Sequence, residues 1–72
     1  MQINKQIGEK IRTFRKELGL RANKLSELLS ISPSYLNLIE SGKRNIDADL
    51  LLKICQELRI ELSDLKNDSN VN

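Results

Sequence analysis

Ala22-Asn23-Lys24-Leu25-Ser26-Glu27-Leu28-Leu29-Ser30-Ile31-Ser32-Pro33-Ser34-Tyr35-Leu36-Asn37-Leu38-Ile39-Glu40-Ser41-Gly42 is the stretch that decides the fold. Leu25, Leu28 and Leu29 share one helical face and leave Arg21, Asn23, Lys24 and Glu27 to water, which predicts a two-turn helix over 22–29. Ser30-Ile31-Ser32 breaks it. Ser32-Pro33 then starts a second helix: the serine side chain accepts from a free backbone N–H, and proline at the first helical position loses nothing by lacking its own. This helix runs through Tyr35, Leu36 and Ile39 to Glu40 and stops at Ser41-Gly42, because glycine takes the left-handed conformation that ends helices. With Leu36 and Ile39 turned to a core, Pro33, Ser34, Asn37, Leu38 and Ser41 fall on the open side.

Working outward, Ile3, Ile7, Ile11, Phe14 and Leu18 recur at steps of three and four, which predicts an amphipathic first helix ended by Gly19, with Leu20 returning the chain to the core. Downstream, Lys43-Arg44-Asn45-Ile46 reads as a polar loop and Asp47 as the cap of a fourth helix, whose inward positions are Leu50, Leu51, Ile54 and Leu58. A short helix around Leu62 to Leu65 closes an all-α fold of five helices. Residues 1–66 are expected to form one domain and 67–72 a polar, disordered tail.

Composition narrows what such a domain does. Seventy-two residues, 39% hydrophobic and 31% charged, support one globular core and no more. No apolar run reaches the ~18 residues of a membrane span. The N-terminus lacks a secretory hydrophobic region, so a cytoplasmic protein is expected. A lone cysteine, Cys55, and no histidine exclude an intramolecular disulfide and a Cys/His zinc site, so no metal and no cofactor are expected. Without histidine and without a nucleophile–base pair, catalysis has no residues to carry it. Cys55 reads as a small buried hydrophobe. The net charge of +2 matters less than its distribution. Basic residues gather at Lys10, Arg12, Arg15, Lys16, Arg21 and Lys24 and again at Lys43 and Arg44, while acids concentrate after residue 46. The positive field therefore belongs to the N-terminal two-thirds.

Two short helices joined by a three-residue break have the dimensions of a helix-turn-helix, which presents its second helix to the DNA major groove. Leu25-Ser26, Ile31-Ser32, Leu36, Ile39-Glu40 and Gly42 resemble the pattern of the lambda-repressor and Cro family, the xenobiotic-response-element family, over about residues 7–65. Within it, Ile31 to Glu40 resembles the N-terminal domains of short-chain fatty acyl regulators. Glu40 to Ile46 is equally similar to restriction-modification controller proteins. The chain departs from the family at three points: Ala22 stands where a glutamine is usual, Ser26 replaces the alanine of the helix crossing, and Ser30 replaces the turn glycine. A serine held at positive φ costs about 1 kcal/mol.

The resemblance implies a repressor-like domain that binds a palindromic operator in double-stranded DNA as a homodimer and regulates transcription. Asn37 then bonds adenine, Ser34 meets either base type, and Pro33 and Leu38 make apolar base contacts. For Asn37 the alternative is a solvated helix residue, and for Leu38 a protein contact. Arg21, Lys24, Ser32, Ser41, Lys43, Arg44 and Asn45 are candidates for the sugar-phosphate backbone, against a plain solvated turn. Tyr35 is either a half-buried ring with its hydroxyl on a phosphate or plain core. Lys10, Arg12 and Lys16 read as a solvated face. The family pairs an arginine with a glutamate at positions matching Arg15 and Glu40, a structural tie between the first and third helices. Leu52, Ile60, Leu62 and Leu65 exceed what the monomer core needs and are assigned to the dimer interface. An antitoxin-like protein-interaction module is the rival reading; its binding would resist salt, whereas phosphate binding weakens steeply.

Overall fold

A computed structural model describes residues 5–66, so Ile3 and the expected tail at 67–72 lie outside the described residues. Its elements are α1 (Lys5–Glu17), α2 (Ala22–Leu29), α3 (Pro33–Glu40), α4 (Ala48–Leu58) and α5 (Leu62–Lys66), the five-helix all-α fold expected. None of these helices is long and apolar enough to cross a membrane. α1 packs across α3 and also meets α4 and α5, while α2 packs on α3 and α4.

Local signals set the helix ends. Ser32 Oγ accepts from Tyr35 N at 3.0 Å and Asp47 Oδ1 from Leu50 N at 2.8 Å, each cap contributing about 1 kcal/mol. Gly19 and Gly42 follow α1 and α3 at φ 73° and 77°, as their places after the helices require. Helices of eight residues such as α2 and α3 are too short to persist alone, so tertiary burial holds them. Ile11, Leu25, Leu36, Ile39, Leu51, Ile54 and Leu58 supply it, all essentially sealed from solvent. Each is worth roughly 1.5–3 kcal/mol by area. Ser26 fits the α2 crossing by donating its hydroxyl to the Asn23 carbonyl at 2.8 Å, which satisfies it while buried.

Several apolar residues depart from expectation. Leu18 is 44% exposed rather than inward: its N–H still bonds the Phe14 carbonyl at 3.2 Å, but at the end of α1 its side chain borders an open hollow with Leu20 and Leu28. Leu20, after the turn, packs against the core instead. Ile46, read as part of a polar loop, is buried in the core. Leu65, assigned to a dimer interface, is 1% exposed within the single chain, because α5 folds back on α1 and α4 and seals it there.

One close approach fixes the α1–α3 crossing. A Cβ on Gly8 would stand 2.6 Å from the carbonyl oxygen of Ile39, so only glycine lets α1 lie this near the end of α3. The turn after α2 is less well matched. Ser30 adopts φ 60° and ψ 39°, left-handed backbone in which its N–H bonds the Glu27 carbonyl at 3.1 Å. Ser30→Gly is therefore expected to raise the melting temperature by a few degrees. Relief of about 1 kcal/mol of strain outweighs the extra chain entropy that glycine loses. A calorimetric midpoint at or below wild type would show that Ser30 sits there without strain.

Candidate nucleic-acid interface

α3 is held from behind and open in front. Leu36 and Ile39 are completely buried, which turns Pro33, Ser34 and Asn37 into solvent as exposed side chains. The proline ring and the Ser32 cap stiffen the exposed end of the helix. Ser32 uses its oxygen to accept from Tyr35, so its hydroxyl hydrogen remains for an outside acceptor. Leu38 is half-buried rather than exposed. Ser41 is half-buried as well, and its hydroxyl donates to the Leu38 carbonyl at 3.1 Å, so the arrangement leaves it no hydrogen to give a phosphate.

Basic and polar side chains border this face. Lys43, Arg44 and Asn45 are exposed in the segment after α3. The Arg44 guanidinium lies 5.3 Å from the centroid of the Tyr35 ring, a cation–π contact that ties this segment to the helix. Tyr35 itself is half-buried against the core, the first of its two alternatives as regards the ring. At the start of α2, Arg21 occupies the cap position with no side-chain cap, leaving the first backbone N–H groups without a side-chain acceptor. Lys24 stands 3.8 Å from Glu27, but both side chains are exposed and such a pair holds the lysine weakly.

Behind α3 lies an ionic cluster. Arg15 donates from Nε to Glu40 Oε2 at 2.8 Å and from Nη2 to Oε1 at 3.1 Å, a two-pronged bond between buried side chains. Its Nη1 donates to the Leu20 carbonyl at 2.9 Å, so one guanidinium ties α1, the turn before α2 and the end of α3. Arg12, expected in solvent, also reaches this carboxylate, with Nε 3.3 Å from Glu40 Oε1 and its side chain 45% exposed. α1 brings Arg12 and Arg15, three residues apart, to the same side of the helix, and the close α1–α3 crossing at Gly8 sets Glu40 opposite both. The sequence signal for this second arginine was its spacing from Arg15.

Of the residues assigned to a dimer interface, Leu52 is 48% exposed on α4, while Ile60 and Leu62 are half-buried against the core. Cys55 is buried, and that burial, with the charge of Asp64 beside it, pushes its thiol up and keeps it protonated. It packs as a hydrophobe.

Short caps, a tight turn and an exposed second helix define a helix-turn-helix domain of the type that transcriptional regulators carry. The Helix-turn-helix family matches this chain over residues 11–65, and the chain belongs to it. It is 36% identical over 55 residues to the HTH-type transcriptional regulator RamB of Mycobacterium tuberculosis, an alignment covering 76% of this chain and 12% of RamB. This chain thus spans a small part of the curated relatives it matches. In structure it superposes on the restriction-modification controller protein C.AhdI from Aeromonas hydrophila with TM-score 0.79 and 31% identity, covering 85% of this chain and 92% of that one. It superposes equally well on the master regulator for biofilm formation SinR, solved in complex with DNA, with TM-score 0.78, 31% identity and coverage of 85% and 98%.

Arg15→Ala is expected to cost about 3 kcal/mol of folding stability, because it strips a buried carboxylate of its two-pronged partner. Arg12→Ala, at a half-exposed pair, should cost less than about 1 kcal/mol. Thermal melts compare them directly. Equal midpoints would show that the buried pair does not hold α3.

Proposed function

We propose that this domain binds double-stranded DNA sequence-specifically and regulates transcription, acting as a homodimer on a palindromic operator with α3 in the major groove. The observation that carries the reading is the open face of α3, where Pro33, Ser34 and Asn37 stand exposed beside the basic segment Lys43-Arg44-Asn45. Asn37 matches the two-bond edge of adenine and Ser34 suits either base type. Arg21, Lys24, Ser32, Lys43, Arg44 and Asn45 take the sugar-phosphate backbone, where counterion release supplies affinity without sequence preference. The likeness to SinR, a regulator solved on DNA, supports the same partner. The proposed work is binding rather than catalysis, carried out in the cytoplasm.

Selection of bound duplexes from a random pool tests the reading, with enrichment of inverted half-sites and steeply salt-dependent binding expected. Failure to enrich any sequence, or affinity indifferent to salt, would turn the assignment towards a protein-binding module. Asn37→Ala should cost about 1–3 kcal/mol on the selected duplex and relax preference at one position of each half-site, with little change on random DNA. An equal loss on both duplexes would make Asn37 a positioning residue.

The proposed dimer uses the C-terminal helices, with Leu52 as its exposed centre and Ile60 and Leu62 beside it. A two-fold axis there sets the two copies of α3 about one DNA turn, roughly 34 Å, apart. Leu52→Asp leaves the core intact and should convert the sedimenting dimer to monomer, with weaker binding to the full palindrome but not to one half-site. Wild-type protein that stays monomeric at high micromolar concentration and binds a single half-site would end the dimer proposal.

A further inference from the structure

An open hollow of about 390 Å³ lies beside the exposed face of α3, between Arg12 and Lys16 of α1, Ala22 at the start of α2, and Pro33 and Asn37 of α3. Arg12 and Lys16 are one helical turn apart and so project as neighbours from α1. The two arginines near Glu40 are not equivalent. Arg15 is buried, and each of its three nitrogens already donates to a protein oxygen. Arg12 donates only from Nε, and among the described residues no acceptor meets Nη1 or Nη2. Its side chain is 45% exposed and lines the hollow, so an incoming ligand can reach it there.

Charge favours an anion here. Glu40 contributes one negative charge against Arg12 and Arg15, and Lys16 has no ion pair among the described residues, so the hollow is net positive. The Arg12–Glu40 bond also fixes the plane of the guanidinium before any ligand arrives, which lowers the ordering cost of a second, charge-assisted contact. Ala22 leaves the space unfilled. We infer that this hollow is a seat for one DNA backbone phosphate, gripped by the free nitrogens of Arg12 and by the Lys16 ammonium, with Glu40 holding Arg12 in position. The phosphate is the one flanking the bases that Asn37 and Pro33 meet, since those two residues form the opposite wall of the hollow. The inference rests on the DNA-binding reading and adds to it a contact from α1, outside the helix-turn-helix itself.

The test measures binding of wild type, Arg12→Gln, Arg12→Lys and Lys16→Gln to a mixed-sequence duplex across a salt series, with circular dichroism melts as a check of folding. Non-specific DNA suffices because a phosphate seat is blind to sequence. Arg12→Gln and Lys16→Gln should each weaken binding several-fold near ~0.1 M salt and make the plot of log affinity against log salt shallower, the two together by about 0.9 for each bound subunit, the share of the one phosphate they hold. Arg12→Lys keeps the charge and should restore the slope. Lys16→Gln breaks no internal bond, so its loss reports on DNA alone. Wild-type slopes in both glutamine variants would overturn the seat while leaving DNA binding intact. A wild-type protein that ignores the duplex would overturn the DNA reading and the seat together. Loss confined to a selected operator, with random DNA unaffected, would make Arg12 a support for α3 and overturn its place as a phosphate contact.

Discussion

Glu40 is a carboxylate buried at the last residue of a two-turn helix, and the angle of α3 depends on how that charge is met. Leu36 and Ile39 anchor one side of the helix but leave it free to roll about that apolar contact. The two-pronged bond from Arg15 removes this freedom, because both carboxylate oxygens are engaged at once. Burying two charges costs several kcal/mol of desolvation, so the pair is a poor source of net stability. Its effect is orientation. Arg15 also grips the Leu20 carbonyl, so the chain leading into α2 is set by the same group. Glycine at position 8 is part of this arrangement, since a larger residue would push α1 off the carbonyl of Ile39.

That rigidity is unevenly spread, and the spread matches two kinds of contact. Base edges demand placement within fractions of an ångström, and the residues proposed to meet them sit on a helix fixed at both ends, by the Ser32 cap and by Glu40. Phosphate contacts tolerate more movement, because a charge attracts from any direction. Lys43, Arg44 and Asn45 accordingly lie exposed after the helix, with the Arg44–Tyr35 contact as their tether. Arg12 stands between these cases. Its long side chain is exposed, yet its Nε is bound to the same carboxylate that fixes α3.

Most of the fold was legible because its signals are local. The apolar spacing of α2 and α4, the Ser32-Pro33 start and the Asp47 cap act within a few residues, and their helix bounds emerge as read. What escaped depends on distant partners. Leu18 fits the periodicity of α1, but periodicity does not say where a helix stops. Ile46 has no apolar neighbour at helical spacing, so nothing local distinguishes a buried loop residue from a wet one. Leu65 looked surplus because the fold-back of α5 on α1 is a tertiary event. On the candidate site, the exposed face of α3 followed from geometry, whereas the Arg15–Glu40 tie came only from family resemblance. Arg12 was missed because its role arises where α1 crosses α3: its spacing from Arg15 puts both on one side of α1, but α1 alone does not show that Glu40 lies opposite them.

The charge distribution bears on how a second copy of such a domain would add to its hold on DNA. Net charge is only +2, and part of the positive charge near α3 is consumed in neutralising Glu40. Six cations of one copy, Arg12, Lys16, Arg21, Lys24, Lys43 and Arg44, are proposed for phosphates, and affinity from counterion release scales with the number of phosphates met. A short helix such as α3 also reads few base pairs. Two copies joined by a two-fold axis double the phosphate contacts and the bases read, and the second half-site binds at a high effective concentration. The short reach of α3 and the exposed Leu52 are the two features that the proposed dimer uses. In the proposed dimer, sequence preference comes from a face held rigid by Glu40, and affinity is raised by presenting that face twice.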